Sequence, residues 1–99
     1  MTSDNVHRFI IAYDIVNDQR RTRIAHTLES YGDRIQYSVF LVDAKPAKII
    51  RIRATVLRQM DPREDRALIC DLGPLNGIQR MLEFMGRPPA LTTGGPLVI

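Results

Sequence analysis

A chain of 99 residues with a formal net charge of +3 and a pI near 9.5 fits one domain, residues 1–99, with a basic bias. The single cysteine, Cys70, excludes an internal disulfide framework and a cysteine-built metal cluster. No apolar run approaches the ~20 residues that span a bilayer, and the opening "MTSDNVHR" has no charged-then-apolar leader pattern, so the expectation is a soluble, cytoplasmic protein with no membrane partner.

The basic excess lies in arginine, twelve against two lysines. Arginine's planar fork of donors suits phosphate oxygens, which points to nucleic acid or another anionic partner. A domain this small buries a modest share of its surface, so a second copy is a natural cover for leftover apolar area.

In chain order, "HRFIIAYDIV" (His7 to Val16) reads as the first strand, apolar on both faces and therefore central in its sheet. Alternation puts Ile10, Ala12, Asp14 and Val16 on one face, and the bulkier Phe9, Ile11, Tyr13 and Ile15 on the other. The bulkier face is assigned to helices, which leaves Asp14 pointing out of the open face near the strand's C-terminal end. Asn17 or Asp18 then caps a helix, and Gly32 stands at its C-cap position. Within that helix Ile24, Ala25, Leu28 and Tyr31 share a face, with Arg20, Arg23 and Glu29 off it.

"RIQYSVFLVD" (Arg34 to Asp43) alternates as one bent strand or as two short strands meeting near Ser38 to Phe40. Pro46 suits the first turn of a second helix, which carries Ile49, Ile52 and Val56 on one face and stops at Asp61-Pro62. "DRALICDL" (Asp65 to Leu72) is a strand and "GPLNG" a turn cluster. "QRMLEFMG" (Gln79 to Gly86) reads as a further strand, with a short helix as the alternative. "RPPALTTGG" is irregular, and "PLVI" ends as a short apolar strand. Two helices on one face of a small, largely antiparallel sheet make an α+β, ferredoxin-like sandwich.

A carboxylate on an apolar, associating surface is costly unless neutralised. In a symmetric dimer built through the open face, Asp14 can meet its own copy across the twofold axis. Two facing carboxylates repel until one takes a proton or a cation sits between them. Mg²⁺ accepts one or two carboxylates and keeps several waters, and water so activated can attack a phosphodiester. The plainer reading of Asp14 is a residue that turns the chain into the helix. Arg20, Arg21 and Arg23 read either as phosphate contacts or as a solvated helix face. His7 and His26 lie next to no Ser or Cys nucleophile, and Ser38 lacks a nucleophile-elbow context.

Four stretches together carry a family resemblance: "YDIVNDQRR" (Tyr13 to Arg21), "DRIQYSVF" (Asp33 to Phe40), "MDPREDRALIC" (Met60 to Cys70), and "MLEFMGRPP" followed by a closing "LVI". From about Phe9 to Ile99 the chain resembles the small CRISPR-associated endoribonuclease family, the smaller of the two core proteins that acquire new spacers. The resemblance implies a homodimer joined through sheet faces, with the C-terminal strand lying on the partner's sheet. It implies Asp14 as the catalytic residue and ligand of Mg²⁺ at the dimer axis. It implies Arg21, Arg23 and Arg34 as nucleic-acid contacts, with Tyr13 and Phe40 shaping the site. Members of the family either cleave RNA or double-stranded DNA, or bridge dimers of the larger integrase partner while holding protospacer DNA by its backbone. A related ferredoxin-like ribonuclease toxin, of the virulence-associated protein D type, and an RNA-recognition module are the rival readings from outside the family. "GPLNGIQRMLEFM" departs from the family's usual link to its fourth strand.

Overall fold

The computed structural model describes residues 5–77 and 82–91. Its elements are β1 (His7–Asp14), α1 (Asp18–Glu29), β2 (Asp33–Gln36), β3 (Val39–Ala44), α2 (Pro46–Gln59) and β4 (Arg66–Pro74), followed by a short 3₁₀ turn, Leu75–Gly77. The four strands form one sheet in the order β2-β3-β1-β4, every neighbouring pair antiparallel. Both helices cover one face, which is the expected ferredoxin-like arrangement.

The core follows from strand alternation. Ile11, Tyr13 and Ile15 of β1 and its continuation point the same way as Phe40, Val42 and Ala44 of β3, and meet Ile24, Ala25 and Leu28 of α1 and Ile52 and Val56 of α2. On β1, α1 and α2 these are residues the apolar periodicity marked, but Tyr31, marked with Ile24, Ala25 and Leu28, lies past the end of α1 and is exposed. Asn17 caps α1, its side-chain oxygen accepting from the Arg20 amide at 2.9 Å. Pro46 opens α2 with φ already set for a helix.

One open alternative resolves to two short strands, and three local expectations change. The strand region after Gly32 is a hairpin, β2 turning at Tyr37-Ser38 into β3. A register shift between Arg34 and Gln36 breaks the alternation there, so Arg34 sits opposite Phe40 and Gln36 opposite Val39. Gly32 is not a left-handed cap, because its φ lies outside that region. It is needed because a Cβ there would stand 2.2 Å from the Leu41 carbonyl oxygen, where α1 hands the chain back to the sheet. β1 ends at Asp14 rather than Val16, since the Val16 amide turns away to donate to Asp65 at 3.1 Å. Finally, Leu82 to Gly86 forms neither strand nor helix. Gly86 takes φ +83, and Pro88-Pro89 have no N–H to offer a ladder. Gln79 to Met81 and the closing "PLVI" lie outside the described residues.

Among the described residues β4 is an edge strand with no strand on its outer side. Leu68 on one face is 57% exposed and Ile69 on the other 36%. Between β4 and α2 runs an apolar groove of about 310 Å³, with Ile52, Val56, Leu57, Ala67 and Ile69 among its walls. Among the described residues no helix is long and apolar enough to cross a membrane.

Candidate nucleic-acid and metal site

Asp14 is the last residue of β1 and is exposed. It stands opposite Arg66 of β4 in register. The alternation that buries Tyr13 among the helices turns Asp14 to the other face, as the sequence predicted. Among the described residues its carboxylate accepts no hydrogen bond and makes no ion pair, and it borders a shallow hollow of about 320 Å³ with Ala12, Arg66 and Leu68. No three metal-ligating side chains gather anywhere among the described residues. At this hollow, among the described residues, one chain offers a cation the Asp14 carboxylate alone. That is enough for Mg²⁺ when a second carboxylate or substrate phosphates complete the shell.

The turn after Asp14 is held by a buried acid that the sequence did not single out. Asp65, buried just before β4, accepts from Arg20 Nε at 2.7 Å and Nη2 at 3.1 Å, and from the amides of Val16 and Asp61 at 3.1 and 2.9 Å. The Arg20 hydrogen bond, against the opposing effect of burial, holds the Asp65 carboxyl well below the usual carboxylate range. The same bond holds the Arg20 guanidinium above its ordinary value. Glu64 adds a second acceptor to Arg20 at 3.0 Å. Arg20, a candidate phosphate contact by sequence, is thus committed to fastening the β1–α1 turn to the α2–β4 loop. The signal for this was thin, because Arg20 and Asp65 lie 45 residues apart.

The other basic candidates differ from it. Arg21 donates from Nη1 to the Ile15 carbonyl at 2.9 Å and from Nη2 to Asp18, and that Asp18 bond raises its pKa. Arg23 is exposed on α1 and makes no hydrogen bond or ion pair among the described residues. Arg34 lies over two rings, 5.3 Å from the Phe40 centroid and 5.9 Å from that of Tyr37. Phe40 is fully buried and stacks with Tyr13 at 6.2 Å between centroids, so both act as packing beneath the site. Tyr37 is 71% exposed. Tyr13, Arg21 and Arg34 come together in one hollow on the helix side of the sheet, while Asp14 stands on the other side. His7 bonds Asp71 at 3.0 Å at the opposite end of β1 from Asp14.

Residues 7–74, the whole span from β1 to the end of β4, match the family described as CRISPR associated protein Cas2. The chain belongs to the Cas2 family. A Cas2-family relative from Chlorobaculum tepidum, named CRISPR-associated endoribonuclease Cas2, is 35% identical over 95 residues, which is 91% of this chain and 97% of that one. The crystal structure of Streptococcus pyogenes Cas2 at pH 6.5 superposes with a TM-score of 0.69 at 26% identity, covering 80% of this chain and 99% of that one. A chain of the partial Cas6-RT-Cas1–Cas2 complex shares the fold, with a TM-score of 0.57 and 22% identity over 76% of this chain and 90% of that one. The Cas2 match contains Tyr13, Asp14, Arg21, Arg23, Arg34 and Phe40.

Proposed function

We propose that this chain is a CRISPR adaptation protein that works as a homodimer. Its Asp14 holds Mg²⁺ beside the copy's Asp14 and supports cleavage of RNA or DNA phosphodiesters. The observation that carries the reading is the free, exposed Asp14 carboxylate on the helix-free face of the sheet, at a position inside the Cas2 match. A bound Mg²⁺ supplies an activated water and offsets charge building on the phosphate. The chain's own groups do the rest. Asp14 anchors the cation, and the Arg20–Asp65 clasp fixes the turn that follows it. Arg21, Arg23 and Arg34 offer guanidinium donors to backbone phosphates without regard to sequence. The helix-free face, where Leu68 and Cys70 of β4 stand exposed on the same side as Asp14, is the surface a second copy would cover.

A second reading is favoured by the single carboxylate per chain. The dimer then serves as a bridge between copies of the larger integrase partner and holds protospacer DNA by its backbone, with no turnover of its own. The likeness to a chain of a complex whose name includes Cas1 supports that partner.

Metal-dependent cleavage of RNA and of duplex DNA by wild type and Asp14→Asn separates the two. Nuclease action predicts a loss of at least about 100-fold in the variant, since even outer-shell partners of a metal are worth 10–100-fold. Equal cleavage by both proteins would overturn the role of Asp14. No cleavage by either, with assembly on the integrase intact, selects the bridge.

A further inference from the structure

The candidate cation ligand and the candidate phosphate contacts lie on different sides of the sheet. Asp14 is on the helix-free face, whereas Arg21 and Arg34 reach the hollow beside α1. Arg20 is committed to Asp65. In the proposed dimer, two Asp14 carboxylates do no more than cancel the charge of one Mg²⁺ ion. A polyanion approaching that ion then meets no net positive charge unless another cation stands on the same face.

Arg66, the first residue of β4, is such a cation. It stands opposite Asp14 in the β1–β4 register. Directly opposed residues of an antiparallel pair project to the same face, with Cβ atoms about 4.5–5.5 Å apart. Both residues border the hollow of about 320 Å³, together with Ala12 and Leu68. Arg66 is exposed and makes no hydrogen bond or ion pair among the described residues, so its N–H donors are uncommitted. Its place is fixed from behind. The neighbouring Asp65 carboxylate accepts from the Val16 amide at 3.1 Å and from Arg20, which ties the start of β4 to the turn that follows Asp14. Arg8, on the same face of β1 by alternation, is spent on Asp43.

We propose that Arg66 is a substrate-contacting residue of the Asp14 site, donating to a non-bridging oxygen of the phosphodiester presented to the Asp14-held cation. The proposal rests on the nuclease reading above and adds to that site a residue outside the basic set read from the sequence. In hydrolysis a water oxygen bonds to phosphorus and one P–O ester bond breaks. One proton of the water reaches the leaving oxygen and the other is released to solvent. Negative charge gathers on the non-bridging oxygens, which the fork of an arginine matches. The same guanidinium opposes Mg²⁺, since a positive charge beside Asp14 lowers the affinity of that carboxylate for a cation. Substrate and metal therefore feel Arg66 with opposite sign.

The test compares Arg66→Gln and Arg66→Lys with wild type and Asp14→Asn through two readouts. Calorimetric titration of Mg²⁺ at low salt, without nucleic acid, reads the cation. Cleavage of labelled single-stranded RNA and labelled duplex DNA at saturating Mg²⁺ reads kcat and KM. Arg66→Gln is expected to bind Mg²⁺ about 3-fold more tightly, a gain that fades as salt rises. Its kcat is expected to fall about 100-fold on the substrate that wild type cleaves, as when one transition-state donor is lost. Arg66→Lys is expected to recover part of that loss, keeping the charge without the fork. A fall in kcat with unchanged or weaker Mg²⁺ uptake would place Arg66 away from the Asp14 carboxylate and overturn the contact. Wild-type kcat in Arg66→Gln, with Asp14→Asn inactive, would overturn the role of Arg66 and leave the nuclease reading standing. No cleavage of either substrate by wild type would overturn both.

Discussion

Replacing Gly32 by alanine is the sharpest test of how α1 is seated on the sheet. The new methyl carbon would lie 2.2 Å from the Leu41 carbonyl oxygen and 2.9 Å from Val42 Cγ2. The nearer atom belongs to a backbone bonded into the β2–β3–β1 ladder, so it cannot swing aside as a side chain would. Either β2 lifts from β3 or the end of α1 lifts from the core. Overpacking of this kind costs about 1–3 kcal/mol, and a backbone obstacle puts it near the top of that range. About 3 kcal/mol corresponds to a fall of roughly 12–24 °C in the unfolding midpoint of a domain this size. The comparison is Gly73→Ala, whose site is open but whose φ is +104. There only backbone strain is added, about 1–2 kcal/mol. Thermal unfolding at one fixed protein concentration reads both, since association would otherwise shift the midpoint. A Gly32→Ala midpoint within about 4 °C of wild type, or one lowered less than that of Gly73→Ala, would refute the close-approach argument.

The Arg20–Asp65 clasp gives the pH dependence its sign. The Asp65 carboxyl titrates lower in the folded chain than its ordinary 3.8, so the unfolded chain takes up the proton first, and the stability from this group is full above about pH 5 and lost as pH falls below about 4. Arg20→Gln should move the acid-unfolding midpoint to higher pH, read by circular dichroism, and an unmoved midpoint would show the clasp to be idle. Arg23→Gln should leave the unfolding free energy within about 0.5 kcal/mol, because the residue is exposed and has no ion pair or hydrogen bond among the described residues. The same change should flatten the salt dependence of nucleic-acid binding by about one unit of slope; an unchanged slope would remove Arg23 from the interface.

The residues easiest to read were those whose environment is set by their own element. Period-two alternation in β1 placed Tyr13 inward and Asp14 outward, and i, i+3, i+4 spacing found Ile24, Leu28, Ile52 and Val56. Local signals failed where a distant partner decides. Arg20 read as either a phosphate contact or part of a solvated helix face, and Asp65 claims it across the fold. Nothing local in the sequence singles out Arg8, yet it is buried against Asp43 with two hydrogen bonds of 2.8 Å. Phe40 and Tyr37 are similar in sequence context, but the hairpin turn leaves Tyr37 in solvent and puts Phe40 in the core. The register shift after Arg34 has no turn dipeptide to announce it, and it brings Arg34 opposite Phe40. Gly32 was recognised as necessary for the wrong reason, since sequence cannot distinguish a left-handed cap from a glycine pressed against a neighbouring carbonyl.

The claim on which the nuclease reading depends is that Asp14 is a cation ligand shared between two copies. Calorimetric titration of Mg²⁺ into the purified protein, with the assembly state measured on the same sample by sedimentation, tests it directly. The account predicts a dimer that takes up one Mg²⁺ per two chains and an Asp14→Asn dimer that takes up none. Undiminished Mg²⁺ uptake by the Asp14→Asn protein would contradict it.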